Sequence, residues 1–218
     1  MARTRTPEPS LARRLAGWLM GAVVLLALFP PFHIRPRNVV DRPERVPGAL
    51  DVPSFAARFW NTKLLSPGVP AVEAPPLVAA LVQDPALAAT KYGRRAGIGA
   101  KTFFLVSGQG HIAAVDQVGA WIDVGEAGTP RILLLTGPVF GNALRDVTGL
   151  LTLSDYRSVD FTALSAELDH LSETQAQPAL RKLAVGGSIS FLAAGEIDDA
   201  SGAVPVFRLA PIRVEVQP

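Results

Sequence analysis

The stretch RILLLTGPVFGNALRD, residues 131–146, combines the signals of a buried strand, a turn and a charged pair. Its four consecutive aliphatic residues, 132–135, are typical of a buried strand. The Gly-Pro dipeptide at 137–138 predicts a turn, because both residues favour turn conformations. The stretch ends on an adjacent pair of opposite charges, Arg145 and Asp146, and apolar residues then resume. We therefore expect a strand that leaves the core, forms a loop and returns to the core.

The composition indicates an association with membranes. Of the 218 residues, 49% are hydrophobic and 18% are charged, which is apolar for a soluble protein. Residues 1–45 carry a net charge of +5 and the remainder carries −3. A mildly acidic folded part argues against a nucleic-acid-binding face, so no nucleic-acid partner is expected. The absence of cysteine excludes disulfides, thiolate metal sites and a cysteine nucleophile.

The N-terminal region contains an unbroken apolar run, residues 15–29, behind Arg13 and Arg14. An apolar length of about 18 to 20 residues can cross a bilayer as a helix. A cleaved signal peptide is the alternative, but no small-x-small cleavage site follows the run. We predict a cytoplasmic tail and signal anchor in residues 1–34, with a single pass through the inner membrane and the main domain outside it. The proline-rich residues 35–53 are predicted to be an extended linker.

After the linker, the pattern changes from helices to strands. Residues 54–95 contain about three short helices, the first with Ser54 as a possible N-cap, and are predicted to form a small helical subdomain. Residues 96–218 contain short strands joined by glycine-rich turns. One helix interrupts these strands, because apolar residues recur at helical spacing from Phe161 to Leu171.

Within the strand region, a hairpin is predicted between residues 102–106 and 111–115, because Gly108 and Gly110 flank a turn-like glutamine. The closing strands are predicted near the C-terminus. Short strands interrupted once by a helix favour a small barrel of the OB type. The predicted fold class is therefore α+β, with an N-terminal transmembrane helix, a small helical subdomain and an OB-like antiparallel β-barrel.

The loop in the central stretch is the first candidate ligand-binding feature. Gly137 and Gly141 would expose backbone N–H groups, and Arg145 could bind a carboxylate or phosphate with its fork of donors. The structural alternative is that Gly141 or Asn142 takes a positive φ while Arg145 and Asp146 tie the loop to the barrel. No Lys-Ser/Thr pair follows the second glycine, which excludes a P-loop.

A second candidate ligand-binding feature is the sequence KYGRR at 91–95, in which Tyr92 and Arg94 could contact an anionic group or an acidic partner. The alternative is that the cations stabilise the C-terminus of the preceding helix, with Gly93 as its expected end. Lys91, in the last turn, fits either use.

No complete catalytic or metal-binding motif is present, and neither a metal nor a cofactor is predicted. The histidines show no metal-ligand spacing, and no G-x-S-x-G elbow supports a serine nucleophile. The missing catalytic set and the predicted membrane anchor favour a binding domain over an enzyme. The alternative is an enzyme acting on a carbohydrate or envelope substrate, with Asp116, Asp146 or Asp160 as candidate carboxylates. It would require two carboxylates facing one cleft.

Several short motifs stand in a characteristic order along the chain. They are Trp60 and Lys63, KYGRR at 91–95, residues 104–110, Val115-Asp116, the GPV, Gly141 and ALRD segments of residues 137–146, Gly187, Phe191, Gly195 and PIR at 211–213. With these motifs, residues 55–216 resemble a bacterial family of predicted periplasmic lipoproteins of unknown function, domain of unknown function 2291. The resemblance implies an OB-type barrel with a helical subdomain, located outside the cytoplasmic membrane.

The resemblance also bears on partners. Genes of this family tend to lie beside sugar ABC-transporter genes, which implies ABC-transporter components or a small polar ligand as partners. The chain departs from the family pattern because it lacks the lipid-attachment cysteine, and because Ser158 and Val159 replace an Asn-Gln pair after the aromatic Tyr156. The predicted function is that of a membrane-anchored, extracytoplasmic binding or accessory domain associated with a sugar importer.

Overall fold

The computed structural model describes residues 50–96, 101–125, 131–198 and 206–217. Gly48–Pro218 is one compact unit, and it contains both the predicted helical subdomain and the predicted strand region. The boundary between them at residue 95 stays a prediction. The predicted tail, transmembrane helix and most of the linker lie outside the described residues. Within the described ranges, no helix has both the length and the hydropathy needed to cross a membrane.

The helices confirm most of the predicted helical segments. In chain order they are α1 (Val52–Phe59), continued by a π-helical turn (Trp60–Leu64), α2 (Ala74–Gln83), α3 (Pro85–Tyr92), α4 (Ala143–Asp146), α5 (Ser158–Leu171), a second π-helical turn (Ser172–Ala176) and α6 (Gln177–Leu180), with a short 3-10 turn (Leu153–Asp155) before α5. The prediction of Ser54 as the first N-cap was wrong. Asp51 occupies that position, and the Ser54 hydroxyl donates to its carboxylate at 3.0 Å.

The strands form one sheet whose hydrogen-bonded pairing closes on itself. They are β1 (Val72–Glu73), β2 (Arg94–Arg95), β3 (Lys101–Val115), β4 (Gly119–Asp123), β5 (Ile132–Leu135), β6 (Ser188–Asp198) and β7 (Phe207–Gln217). The path runs β3-β4-β5-β7-β6 and returns from β6 to β3. These pairings are antiparallel except for β5 with β7, which is parallel. That parallel pair is possible because a long helical insertion and β6 separate the two strands in the chain.

The predicted hairpin between residues 102–106 and 111–115 was wrong, because both segments belong to the single strand β3. The two glycines allow close approach of neighbouring elements and do not form a turn. A Cβ at Gly108 would lie 2.9 Å from Ala74 Cβ, and a Cβ at Gly110 would lie 2.6 Å from Ile122 Cγ2. The strand instead changes partner, pairing with β6 in its first part and with β4 in its second.

The first part of β3, residues 102–106, is buried on both faces, which explains its largely apolar sequence. Phe104 and Val106 face one hydrophobic cluster, which includes α2, α3 and residues of β4 to β7. Phe103 and Leu105 face the other, which joins α1, the central loop and α5. The predicted apolar face of α5 lies in this second cluster. The α+β class is therefore confirmed, with helices packed against both faces of the sheet where β3 is buried.

Candidate functional site

The central segment, residues 137–150, lines two cavities of opposite chemical character. Its first part, from Gly137 to Ala143, lines a cavity of about 560 Å³ that also contains carboxylates. Its second part, from Val147 to Leu150, lines a cavity of about 820 Å³ that contains cations. We call these the acidic cavity and the basic cavity. The rest of the short helix α4, residues 144–146, lies between the two lining parts in the chain.

Arg145 and Asp146, at the end of α4, form a buried network rather than lining either cavity. Arg145 Nε donates to Asp146 Oδ1 and Nη2 donates to Oδ2, both at 2.7 Å. Arg145 Nη1 donates to Ser165 Oγ at 2.8 Å and to the Phe161 carbonyl at 3.3 Å. The guanidinium carbon lies 3.7 Å from the centre of the Phe161 ring. All the nitrogens of the fork are engaged by α4 and α5, which supports the structural alternative for these two residues.

The turn before α4 is shaped by two neighbouring residues. Gly141 has a φ of +126°, as one of the two predicted positions requires, whereas Asn142 has a φ of −122°. Asn142 Oδ1 accepts a hydrogen bond from Ser165 Oγ at 3.1 Å, which connects the turn to the Arg145 network. A Cβ at Gly141 would lie 3.7 Å from both carboxylate oxygens of Glu196, so the backbone passes close to the acidic cavity here.

The basic cavity brings together cations from three separate parts of the chain. Lys63 comes from the π-helical turn after α1, Lys91 from the last turn of α3, and Arg94 from β2. None of the described residues that line this cavity is acidic. The buried side chains of Phe103 and Leu105 from β3 also line it. The arrangement offers an anion several donors above an apolar surface.

Local contacts position the two predicted site residues of the basic cavity. Tyr92 lies under the ammonium of Lys91, whose Nζ is 4.8 Å from the ring centre. Arg94 extends across Gly149, where an added Cβ would lie 2.6 Å from Arg94 Nη1. Gly149 has a φ of +63°, which favours glycine at this turn. The central segment thus supports the guanidinium of Arg94 at the cavity wall.

The acidic cavity contains two carboxylates that the sequence did not single out. Asp169, from α5, is only 8% exposed and accepts no hydrogen bond from the described residues. Glu196, from β6, forms an ion pair through Oε1 with Lys101, while its Oε2 is buried and has no hydrogen-bond partner in the described part of the chain. Burial raises the pKa of Asp169 to about 7, and repulsion from Glu173 and Glu196 adds to this rise.

The predicted site residues therefore divide into three groups. Gly137 and Gly141 lie at the acidic cavity, Asn142 belongs with Arg145 and Asp146 to the buried network, and Tyr92 and Arg94 line the basic cavity. Ligand binding by any of them stays a prediction.

Asp169 and Lys63 were not selected from the sequence. A signal for Asp169 was present, since it follows Phe161 and Ser165 at four-residue steps along the buried stripe of α5. A carboxylate on such a stripe is unusual because burial of an unpaired charge is costly. For Lys63, the sequence offered only its place among the family motifs.

The three carboxylates named for an enzyme are engaged elsewhere and line none of the described cavities. Asp116 accepts from the Trp121 indole and from the backbone of Gly119, which lowers its pKa. Asp160 is paired with Arg157, which lowers the pKa of that carboxyl, and Asp146 with Arg145. No group of histidine, aspartate and glutamate side chains in the described ranges is arranged to hold a metal ion.

Comparison with known proteins agrees with this architecture. Residues 22–215 match the family described as predicted periplasmic lipoprotein, domain of unknown function 2291. A similar solved structure is that of an OB-fold protein from Thermotoga maritima, with 22% sequence identity and a TM-score of 0.69. The likeness covers 78% of this chain and 99% of that one, and it confirms the OB-like fold. No curated protein matches the chain.

The family match extends over most of the sequence and includes the motifs that line the basic cavity and form the Arg145 network. Its description indicates a location outside the cytoplasm. The chain therefore belongs to the family of predicted periplasmic lipoproteins that carry domain of unknown function 2291.

Proposed function

We propose that this protein is an extracytoplasmic binding domain that takes an anionic group, such as a phosphate or carboxylate, in the basic cavity. The observation that carries this proposal is the convergence of Lys63, Lys91 and Arg94 on one cavity whose described lining has no acidic residue. Cations held together without counter-charges repel one another, and a bound anion relieves that repulsion.

The polar groups of the cavity suit an oxyanion. Ser66 and Thr148 line it and can donate hydroxyl hydrogen bonds, whereas the Thr62 hydroxyl donates to the Arg58 carbonyl at 2.8 Å. Arg94 can bind two oxygens at once, because its guanidinium presents a fork of donors. A volume of about 820 Å³ also leaves room for the organic part of a ligand, which would rest on the buried Phe103 and Leu105.

Calorimetric titration of the full-length chain with inorganic phosphate and with glucose 6-phosphate tests this proposal. We expect saturable binding that weakens as sodium chloride is raised, since salt screens exposed charges. Lys63→Gln and Arg94→Gln should each weaken binding by roughly tenfold. Lys182→Gln, at an exposed lysine outside the cavity, is the matched control. Equal binding by the parent and both cavity variants would refute the anion site.

The proposal extends to attachment and partners. We propose that residues 15–29 anchor the chain in the inner membrane by a single pass, that the closed strand path is an OB-type barrel, and that the domain is an accessory of a sugar ABC importer. The apolar run supports the anchor, and the family's genomic neighbourhood supports the importer. Protease added to intact spheroplasts should digest the domain after Arg45, and a protected domain would contradict the orientation. Co-purification of an importer permease with the full-length chain would test the partner.

A second candidate function, acid–base catalysis on a carbohydrate or envelope substrate, is favoured by one observation. Asp169 and Glu196 face the same cavity, and the pKa of Asp169 is raised to about 7, as a general acid at neutral pH requires. Release of 4-nitrophenol from a set of 4-nitrophenyl glycosides would test it. Activity lost in both Asp169→Asn and Glu196→Gln would favour this function over the binding function.

A further inference from the structure

The acidic cavity is separate from the proposed anion site and contains a buried carboxylate oxygen without a hydrogen-bond partner in the described part of the chain. Asp169 is more than nine-tenths buried, lines the cavity and accepts no hydrogen bond from the described residues. Glu196 Oε2 is likewise buried without a partner within the described part of the chain. Buried polar atoms are almost always hydrogen-bonded in folded proteins, so the unpartnered Oε2 of Glu196, on the same cavity as the largely buried Asp169, indicates an absent partner.

The nearby cations of the described residues do not supply the missing hydrogen-bond donor. Lys101 pairs with Oε1 of Glu196 and leaves Oε2 unpaired. Arg145 is held by Asp146 and by α5, so its donors are already engaged. Arg208 lines the cavity but is exposed, and it forms no ion pair with any of the described residues. A donor entering from solvent is therefore needed to satisfy Asp169 and Glu196.

The rim of the cavity is apolar and restricts the class of donor. Phe140 lines the cavity and is 86% exposed, and Val118 lines it and is 48% exposed. A bare divalent ion would gain nothing from these side chains, and no acidic group in the described ranges has the arrangement of a metal site. A cation with an aliphatic part would contact both surfaces, because its charged end can meet the carboxylates while its aliphatic part buries apolar surface against the rim.

We propose that the acidic cavity binds a protonated organic amine, with the ammonium between Asp169 and Glu196 and its aliphatic part against Phe140 and Val118. The ammonium supplies three donors and a positive charge, which together satisfy both carboxylates. The backbone at Gly141 passes next to Glu196, so the central loop closes one side of the site.

Binding should depend on pH in a direction set by the charges around Asp169. Burial raises the pKa of Asp169, repulsion from Glu173 and Glu196 raises it further, and Arg145 on α4 lowers it. Arg208 on β7 lines the same cavity. An ammonium prefers the ionised carboxylate, so its affinity should increase as the pH rises from about 6 to 8.

Calorimetric titration of the full-length chain with n-butylammonium chloride tests the proposal, with butan-1-ol and sodium chloride as neutral and ionic controls. We expect saturable binding of the amine alone. Glu196→Gln should weaken it by about tenfold, and Asp169→Asn should also remove its pH dependence. Phe140→Ala should weaken binding without affecting folding, because this side chain is exposed. Glu215→Gln, at an exposed carboxylate outside the cavity, is the matched control.

Each result of these titrations either supports or overturns the amine site. Amine binding that is lost in Glu196→Gln and Phe140→Ala but kept in Glu215→Gln supports the site. Heat equal to that of sodium chloride, or unchanged affinity in folded Glu196→Gln and Phe140→Ala, overturns it. Tighter binding of calcium chloride than of the amine also overturns it, in favour of a metal site. Because phosphate titrates the other cavity, failure of the anion site would leave these results unaffected.

Discussion

The guanidinium of Arg145 donates two parallel hydrogen bonds, each 2.7 Å long, to the carboxylate of Asp146, the next residue in the chain. The same guanidinium lies over the Phe161 ring and donates to Ser165, both from α5. Adjacent residues rarely face one another on a helix. This pair does so at the end of the four-residue helix α4, where the segment between the two cavities is fixed to α5.

We predict that Arg145→Lys lowers the free energy of unfolding by about 1 to 3 kcal/mol, because lysine keeps the charge but loses the planar fork. For a domain of this size, the melting temperature should fall by about 2 to 4 °C for each kcal/mol. Arg131→Lys is the matched control, since Arg131 forms an exposed pair with Asp123 and exposed pairs contribute little. A melting temperature of Arg145→Lys within a degree of the parent would show that this network does not stabilise the fold.

Asp169 should make the protein less stable as the pH rises. Its pKa is raised from the ordinary 3.8 to about 7, first by burial and then by Glu173 and Glu196, against the opposing effect of Arg145; Arg208 lines the same cavity. Between about pH 4 and 7 the folded state holds a proton that the unfolded state has released. The free energy of unfolding therefore decreases through this window, and the full penalty is present above pH 7.

We accordingly predict that Asp169→Asn is more stable than the parent at pH 8, by on the order of 3 kcal/mol, and equal to it near pH 4. Urea unfolding at a series of pH values measures the difference. Asp116→Asn is the control, and its effect on the free energy of unfolding should have the opposite sign, because hydrogen bonds lower the pKa of Asp116. Its carboxylate stabilises the fold above its ordinary pKa and loses that effect in acid. If Asp169→Asn were less stable than the parent at pH 8, the ionised Asp169 carboxylate would not be destabilised by burial.

The N-cap of α3 should make a smaller contribution to stability, which can be tested by substitution. Asp84 Oδ1 accepts from the backbone N–H groups of Ala86 and Leu87, each at 3.0 Å. Asp84→Ala should lower the free energy of unfolding by about 1 kcal/mol, and Asp84→Ser should recover most of that loss. Thermal melts of the three proteins would show this order, and an equal melting temperature for Ala and Ser would count against the cap.

The sequence predicted the helices better than the strands, for a physical reason. Asp84-Pro85 and the spacing of apolar residues in α5 are local signals, and both were interpreted correctly. Gly108 and Gly110 were interpreted as a turn, although they sit inside β3 because other elements approach there. A glycine required for close approach and one required for a turn look alike in a sequence, since only the folded chain supplies the neighbours.

The candidate site was harder to predict from the sequence than the fold was. The charged pair Arg145 and Asp146 was visible because its members are adjacent. Lys63 and Arg94 are 31 positions apart in the chain, and their shared cavity depends on the packing of the π-helical turn and β2 over β3. Sites assembled from distant segments require the tertiary structure, which residue spacing alone does not contain.

Two glycines that line the basic cavity provide the last test, since they differ in the space around them. A Cβ at Gly93 would overlap Thr102 Cγ2 and lie 2.6 Å from the Ala89 carbonyl oxygen, whereas a Cβ at Gly68 would have nothing within 4 Å. Thr102 is fully buried, so it cannot move aside without displacing other atoms. An alanine at Gly93 must therefore shift the end of α3 away from β3.

We expect Gly93→Ala to lower the free energy of unfolding by about 1 to 3 kcal/mol, as overpacking does, while Gly68→Ala keeps the stability of the parent. Because Gly93 lies between Lys91 and Arg94, its displacement should also weaken phosphate binding in the basic cavity. Thermal melts and phosphate titration of both variants measure the two effects separately. If Gly93→Ala has the same melting temperature as the parent, the contact of α3 with β3 is looser than described. If it is destabilised but binds phosphate normally, Lys91 and Arg94 do not act together on the anion.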